Sequence, residues 1–210
     1  MKEKETSPIE TLSEIRQLME RSSRFISLSG LSGVFAGIYA LIGALLAYQY
    51  LHLSVRFSRK YLYAEGRSFN DFVYFLVGDA LLVLILAIST GIFLTTRKAR
   101  KDGNSLLDKT AKKLLINLSI PLVCGGLLCI SMLFHHIYGF IAPAMLIFYG
   151  LALINASKYT LNDIRYLGFS EIFLGLTSSV FIGYGLLFWA VGFGVLHIAY
   201  GTYMYFKYEK

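Results

Sequence analysis

Acid is scarce in this chain: 13 Asp and Glu stand against 20 Lys and Arg in 210 residues, and only 16% of positions carry a charge. So few charges cannot solvate a chain that is 56% hydrophobic, which excludes an ordinary soluble domain and points to lipid as the solvent. Cysteine is rarer still, with two in the chain. Cys124 and Cys129 lie five positions apart in one apolar run, on different helix faces, which excludes an easy disulfide or shared metal and leaves them as expected core residues. The net charge of +7 sits in short segments beside apolar runs and forms no basic face for nucleic acid, so anionic lipid headgroups are the expected partner. Gly-rich phosphate loops, zinc spacings and nucleophile elbows are missing, and no motif names a substrate or reaction.

What is present is a set of six long apolar stretches, at 25–50, 72–96, 114–134, 137–157, 167–182 and 186–206. Each is near the length that crosses a bilayer as a helix. Assigning the loops alternately to two sides puts 16 of the 20 cations on one side, with both termini there and four cations (Arg56, Arg59, Lys60, Arg67) in the outer loop 51–71. The expected fold is all-α: a polytopic transmembrane bundle of six spans as three helical hairpins over 25–210, preceded by a cytoplasmic amphipathic head over 1–24. Tyr48, Tyr50, Tyr61 and Tyr63 mark the outer interface, and Tyr159, Tyr166, Tyr203, Tyr205 and Tyr208 the inner one.

The head has five acids and five bases and no small-residue exit after its apolar run, so it does not read as a cleavable signal. Ser7, Pro8 and Glu10 form a capping box, and Ile9, Leu12, Ile15, Met19 and Ile26 recur at helical spacing. This lead-in is expected to lie on headgroups, with a protein partner through residues 7–24 as the alternative. Between the second and third runs, Arg97, Lys98, Arg100, Lys101, Lys109, Lys112 and Lys113 outnumber Asp102 and Asp108 and form a basic cluster for the anionic leaflet.

A shift of 51 residues superposes Ser119 on Ser170, Ile147 on Ile198, Tyr149 on Tyr200 and Gly150 on Gly201. The first hairpin joins more loosely, through Ser27–Ser29 and the Thr90-Gly91 pair, and chance in a small apolar alphabet is the alternative to a repeat. Span one carries two small-residue ladders, Ser29, Gly33, Gly37 and Ser32, Ala36, Ala40, Ala44. Such a face suits the centre of a bundle or a homo-oligomer seam. Pro121 and Pro143 are expected to bend spans three and four.

Ionisable groups at depth are costly and therefore informative. Glu171 and His197 each lie 13 residues from Tyr184 in the expected turn Gly183–Gly185, so the two arms bring them to one level as a buried polar pair. The pair either fixes register or handles protons. Asp79, an intramembrane acid in span two, needs a partner from another span and could relay towards His197. His52, His135 and His136 fall at outer helix ends near Asp71 without zinc spacing, so no metal is expected. A membrane haem would want a second axial histidine at the depth of His197, and no cofactor is expected.

Three functions are weighed. The leading one is a non-enzymatic accessory, scaffold or regulatory membrane subunit. The second is a small transporter or channel using Asp79, Glu171 and His197 as a path, and the third is a lipid-modifying enzyme built on Asn155, Lys158, Asp163 and Arg165. The stretch from Lys158 through Ile164-Arg165-Tyr166-Leu167-Gly168 and the tail Gly183–Tyr208 resemble uncharacterised bacterial six-span integral membrane proteins. That resemblance covers the last third of the chain. It implies a multi-pass protein of the bacterial inner membrane and carries no activity, ligand or catalytic residue.

Overall fold

The computed structural model describes residues 28–60, 69–101 and 109–210, with side chains omitted for 52–60 and 69–72. The head with its segment 7–24, Tyr61, Tyr63, Arg67, Asp102 and Asp108 lie outside the described residues, as do the side chains of His52, Arg56, Arg59, Lys60 and Asp71. Within the described residues every regular element is helical. The long helices are α1 (Gly30–Lys60), α2 (Phe69–Lys101), α3 (Lys109–Phe134), α4 (Ile141–Ala156) and α5 (Ile164–Val180). A last rod follows, made of α6 (Gly185–Trp189), a π-helical stretch Ala190–Leu196 and α7 (His197–Tyr208).

Among the described residues five segments are long and apolar enough to cross a membrane: Gly30–Leu51, Val73–Lys101, Lys109–Phe134, Tyr138–Ala156 and Gly185–Tyr208. The protein is thus a multi-pass membrane protein. The 17-residue α5 is shorter than these, about 25 Å at the helical rise, because Ser157–Asp163 turns irregularly before it and Gly183 breaks the chain after it. Gly183 has φ +101°, a conformation that costs glycine little, and so makes the sharp turn expected at Gly183–Gly185. Pro121 sits inside α3, whereas Pro143 occupies the first turn of α4, where its missing N–H interrupts no helical bond.

The helices meet through glycine. Between α4 and α5, a methyl group on Gly150 would stand 2.5 Å from the Gly168 carbonyl oxygen, and one on Gly175 would stand 3.0 Å from the Ile147 amide. Between α1 and the rod, a methyl on Gly201 would stand 2.5 Å from the Val34 amide, and one on Gly37 2.9 Å from the Ile198 amide. Backbones this close gain van der Waals contact that no larger residue permits. The first ladder of span one is therefore filled by the rod of the same chain, as the bundle-centre alternative expects. The last hairpin also departs from expectation: α5 packs mainly on α4 and the rod mainly on α1, each following its own glycines.

At one end of the bundle Leu153, Leu161, Ile164, Leu167 and Met204 close into an apolar core. The same end is tied by Glu209, whose carboxylate accepts from the Gly30 amide and the Ser29 hydroxyl and pairs with Lys98 at 3.5 Å. The start of α1, the end of α2 and the end of α7 are thereby clasped together.

Candidate functional site

Glu171 lies two turns into α5 on the buried stripe Ile164, Leu167, Gly168, Glu171, Gly175, Ser178. Its side chain is 0% exposed. His197 opens α7 directly after the π-helical stretch, and its Nδ1 lies 3.5 Å from Glu171 Oε1. The wide π turn matters here: it presents the Gly192 carbonyl to His197 Nδ1, which donates to it at 3.0 Å. Gly192 is required at that point, since a methyl there would stand 2.5 Å from both Glu171 Oε2 and Leu146 Cδ2.

The other ring nitrogen is engaged by a residue that sequence reasoning placed only in the repeat. Tyr149 of α4 holds its hydroxyl 2.7 Å from His197 Nε2. With Nδ1–H donating to Gly192, the neutral imidazole accepts the Tyr149 O–H at Nε2. Phe193 tilts against Tyr149 at 5.1 Å, stacks near His197 at 5.9 Å, and is backed by Trp189 at 5.4 Å. Tyr149 could have been found from the sequence, because it lies 12 residues past Ile137 and so at nearly the depth of the pair. Neither oxygen of Glu171 has a hydrogen-bond partner, and the buried Ser178 hydroxyl has none.

Asp79 is placed elsewhere. Its carboxylate faces α1, where a methyl on Gly43 would stand 2.9 Å from Oδ2, and it shares no hydrogen bond or ion pair with His197. The same α1–α2 seam holds a 3.2 Å hydrogen bond between Tyr39 and Thr90. Of the basic cluster, Arg97, Arg100, Lys101, Lys109, Lys112 and Lys113 are exposed. Lys98 departs from it, being turned inward to donate to the Leu28 carbonyl at 2.8 Å and to pair with Glu209. Cys124 is exposed rather than in the core, and Cys129 is half-buried.

Asn155, Lys158, Asp163 and Arg165 do not converge on one centre. Asn155 donates to the Asn117 carbonyl and accepts from Lys158, while Arg165 lies over the Phe169 ring. Asp163 accepts from Lys207 at 2.8 Å and from Tyr208 at 2.5 Å. Burial alone would push the Asp163 carboxyl up, but these two hydrogen bonds outweigh it and hold the group below the usual carboxylate range. His136 bonds to Tyr138 at 2.6 Å, and no cluster of three metal-ligating side chains exists among the described residues.

The family model described as TMEM128 protein matches residues 29–160. No curated protein and no solved structure gives a significant match to the chain. The family match spans more than half of the sequence, and the chain belongs to the TMEM128 family, a family of membrane proteins.

Proposed function

We propose that this TMEM128-family protein is a non-enzymatic accessory subunit whose α2 edge receives a small-residue transmembrane helix of a partner membrane protein. The observation that carries this reading is a shared sequence at three helix edges. Ile147-Phe148-Tyr149-Gly150 in α4 and Ile198-Ala199-Tyr200-Gly201 in α7 each accept a helix whose glycines are seven apart, Gly168 and Gly175 in one case, Gly30 and Gly37 in the other. Ile88-Ser89-Thr90-Gly91 in α2 has the same Ile-x-x-Gly spacing, yet a methyl on Gly91 would meet nothing within 4 Å and Ile88 is exposed. Three hairpins of common plan account for the pattern, with the third edge left for a foreign helix.

The test is a photo-crosslinking amino acid at Ile88 in native membranes, with Phe93 as control, since it projects about 200° around the helix from Gly91. A discrete adduct with another membrane protein at Ile88, absent at Phe93 and abolished by Gly91→Leu, is the expected result. Equal diffuse labelling at both positions would show a lipid-facing edge, and an adduct of two copies of this chain would place a homo-oligomer there. Either overturns the accessory reading.

Six crossings with both termini on the cation-rich side form part of the proposal. Support comes from the Glu209 clasp, which joins the start of the first span to the end of the last and so fits an even number of crossings between them. The cation-rich side is read as cytoplasmic, with its six exposed cations against anionic headgroups. Assignment to a bacterial inner membrane rests on the C-terminal resemblance. The transport reading draws no comparable support, because Leu153, Leu161, Ile164, Leu167 and Met204 form an apolar core at the inner end.

A further inference from the structure

We propose that Glu171, His197 and Tyr149 form a binding site for one proton, sealed at the junction of α4, α5 and the rod. The three groups come from three segments and meet in the interior: Glu171 Oε1 is 3.5 Å from His197 Nδ1, and His197 Nε2 is 2.7 Å from the Tyr149 hydroxyl. Glu171 is fully buried and neither of its oxygens receives a hydrogen bond. An ionised carboxylate in that position beside a neutral imidazole would be a buried charge without a counter-charge, its nearest donor, His197 Nδ1–H, being given to the Gly192 carbonyl. A protonated carboxyl beside an imidazolium would be equally uncompensated, with the positive charge now alone. One proton shared between the two groups leaves the site without net charge. It sits on Glu171 with the ring neutral, or on the ring as an ion pair with Glu171, in which case Nε2–H donates to Tyr149 and Nδ1–H faces both Gly192 and Glu171.

Among the described residues the surroundings bring no second charge. From α4 the titratable group facing the pair is Tyr149. From α1 the backbone of Gly33 lies against His197, and Gly37 against the rod at Gly194 and Ile198. From the rod itself the neighbours are Gly192, Phe193 and Trp189, and from α5 the same stripe continues as Gly175 and Ser178. The apolar core that includes Leu167 and Met204 closes the inner side, and Leu146, fully buried, packs against Gly192. Exchange of the proton with water therefore requires the rod to part from α5, where the packing is thinner than at either glycine seam. Proton occupancy and rod attachment are then thermodynamically linked.

Infrared and 15N-imidazole NMR spectroscopy of the full chain in lipid nanodiscs counts the protons directly. At neutral pH the acid C=O band assigned to Glu171 by its loss in Glu171→Gln, added to the imidazolium fraction of His197, is expected to total one. Both should exchange slowly with deuterium. A total of zero, with carboxylate and neutral ring, or of two, with acid and imidazolium, overturns the proposal. Tyr149→Phe serves as the second variant: removing the hydroxyl at Nε2 is expected to move the proton between ring and carboxyl while the total stays one, and a changed total overturns the proposal equally.

Discussion

At the scale of single residues, stability follows from which polar atoms find partners. His197 is held at both ring nitrogens by groups on other turns or helices, so Tyr149→Phe leaves a buried acceptor unmade and should cost about 1–3 kcal/mol. Thermal unfolding in detergent measures the loss, and an unchanged midpoint would remove Tyr149 from the site. Asp163 provides a pH-dependent case. Its carboxyl titrates below the ordinary range in the folded chain, so its clasp to Lys207 and Tyr208 stabilises above the unfolded carboxylate value and is lost as pH falls through the folded one. Asp163→Asn should lower the unfolding midpoint at about pH 7, and the gap to wild type should narrow as pH falls below the ordinary carboxylate range; a gap that stays constant into acid would refute the assignment. Glu171 and His197 could be paired by counting from Tyr184, and they lie 3.5 Å apart even though the π-helical stretch between Tyr184 and His197 departs from the uniform rise that the count assumes. Lys98 and Glu209 could not be paired from the sequence. Charged residues beside a membrane are ordinarily solvated, and only the folded chain shows that Glu209 reaches the Gly30 amide across 179 positions.

At the scale of helices, small residues were visible in the sequence but their partners were not, since Gly33 and Gly37 suit a seam with any helix that approaches. The structure gives them the rod, through Gly194 and Gly201, and gives Gly168 and Gly175 to α4. Closeness then sorts the glycines by consequence. A side chain at Gly201 meets the Val34 amide and the Gly30 carbonyl, neither of which can rotate away, so Gly201→Leu should destabilise by at least about 1–3 kcal/mol and loosen α1 from the rod. Gly126 has nothing within 4 Å, and Gly126→Ala should be neutral or slightly stabilising through helix propensity. Detergent-resistance melting of the two variants side by side checks the contrast, and equal losses would contradict the seams. The π-helical stretch Ala190–Leu196 was beyond sequence reasoning for a related reason. Its extra residue per turn is tolerated where Gly192 lets Glu171 approach and where the freed carbonyl finds His197, and both conditions belong to the folded chain.

At the scale of the molecule, the apolar runs made a multi-pass helical protein legible, while the role of α5 depends on tertiary contacts. Alone, 17 residues of modest length could lie within one leaflet or cross a locally thinned bilayer. The Glu209 clasp fits an even parity, in which the chain between Gly30 and Glu209 returns to its starting side. On the proposed path α5 supplies the sixth crossing that the five longer segments lack. In a background with Cys124 and Cys129 replaced, single cysteines at Lys101, Lys158 and Lys210 should react with an impermeant thiol reagent from one face of sealed vesicles. Cysteines at His136 and Tyr184 should react from the other. Labelling of Lys158 and Tyr184 from the same face would mean that α5 does not cross. Glu171 would then sit in a re-entrant segment, with the clasp demanding a different path for the rod. The expected pattern places Glu171, His197 and Tyr149 at one depth between the two labelled faces, where a charge is costly and a shared proton is the economical solution.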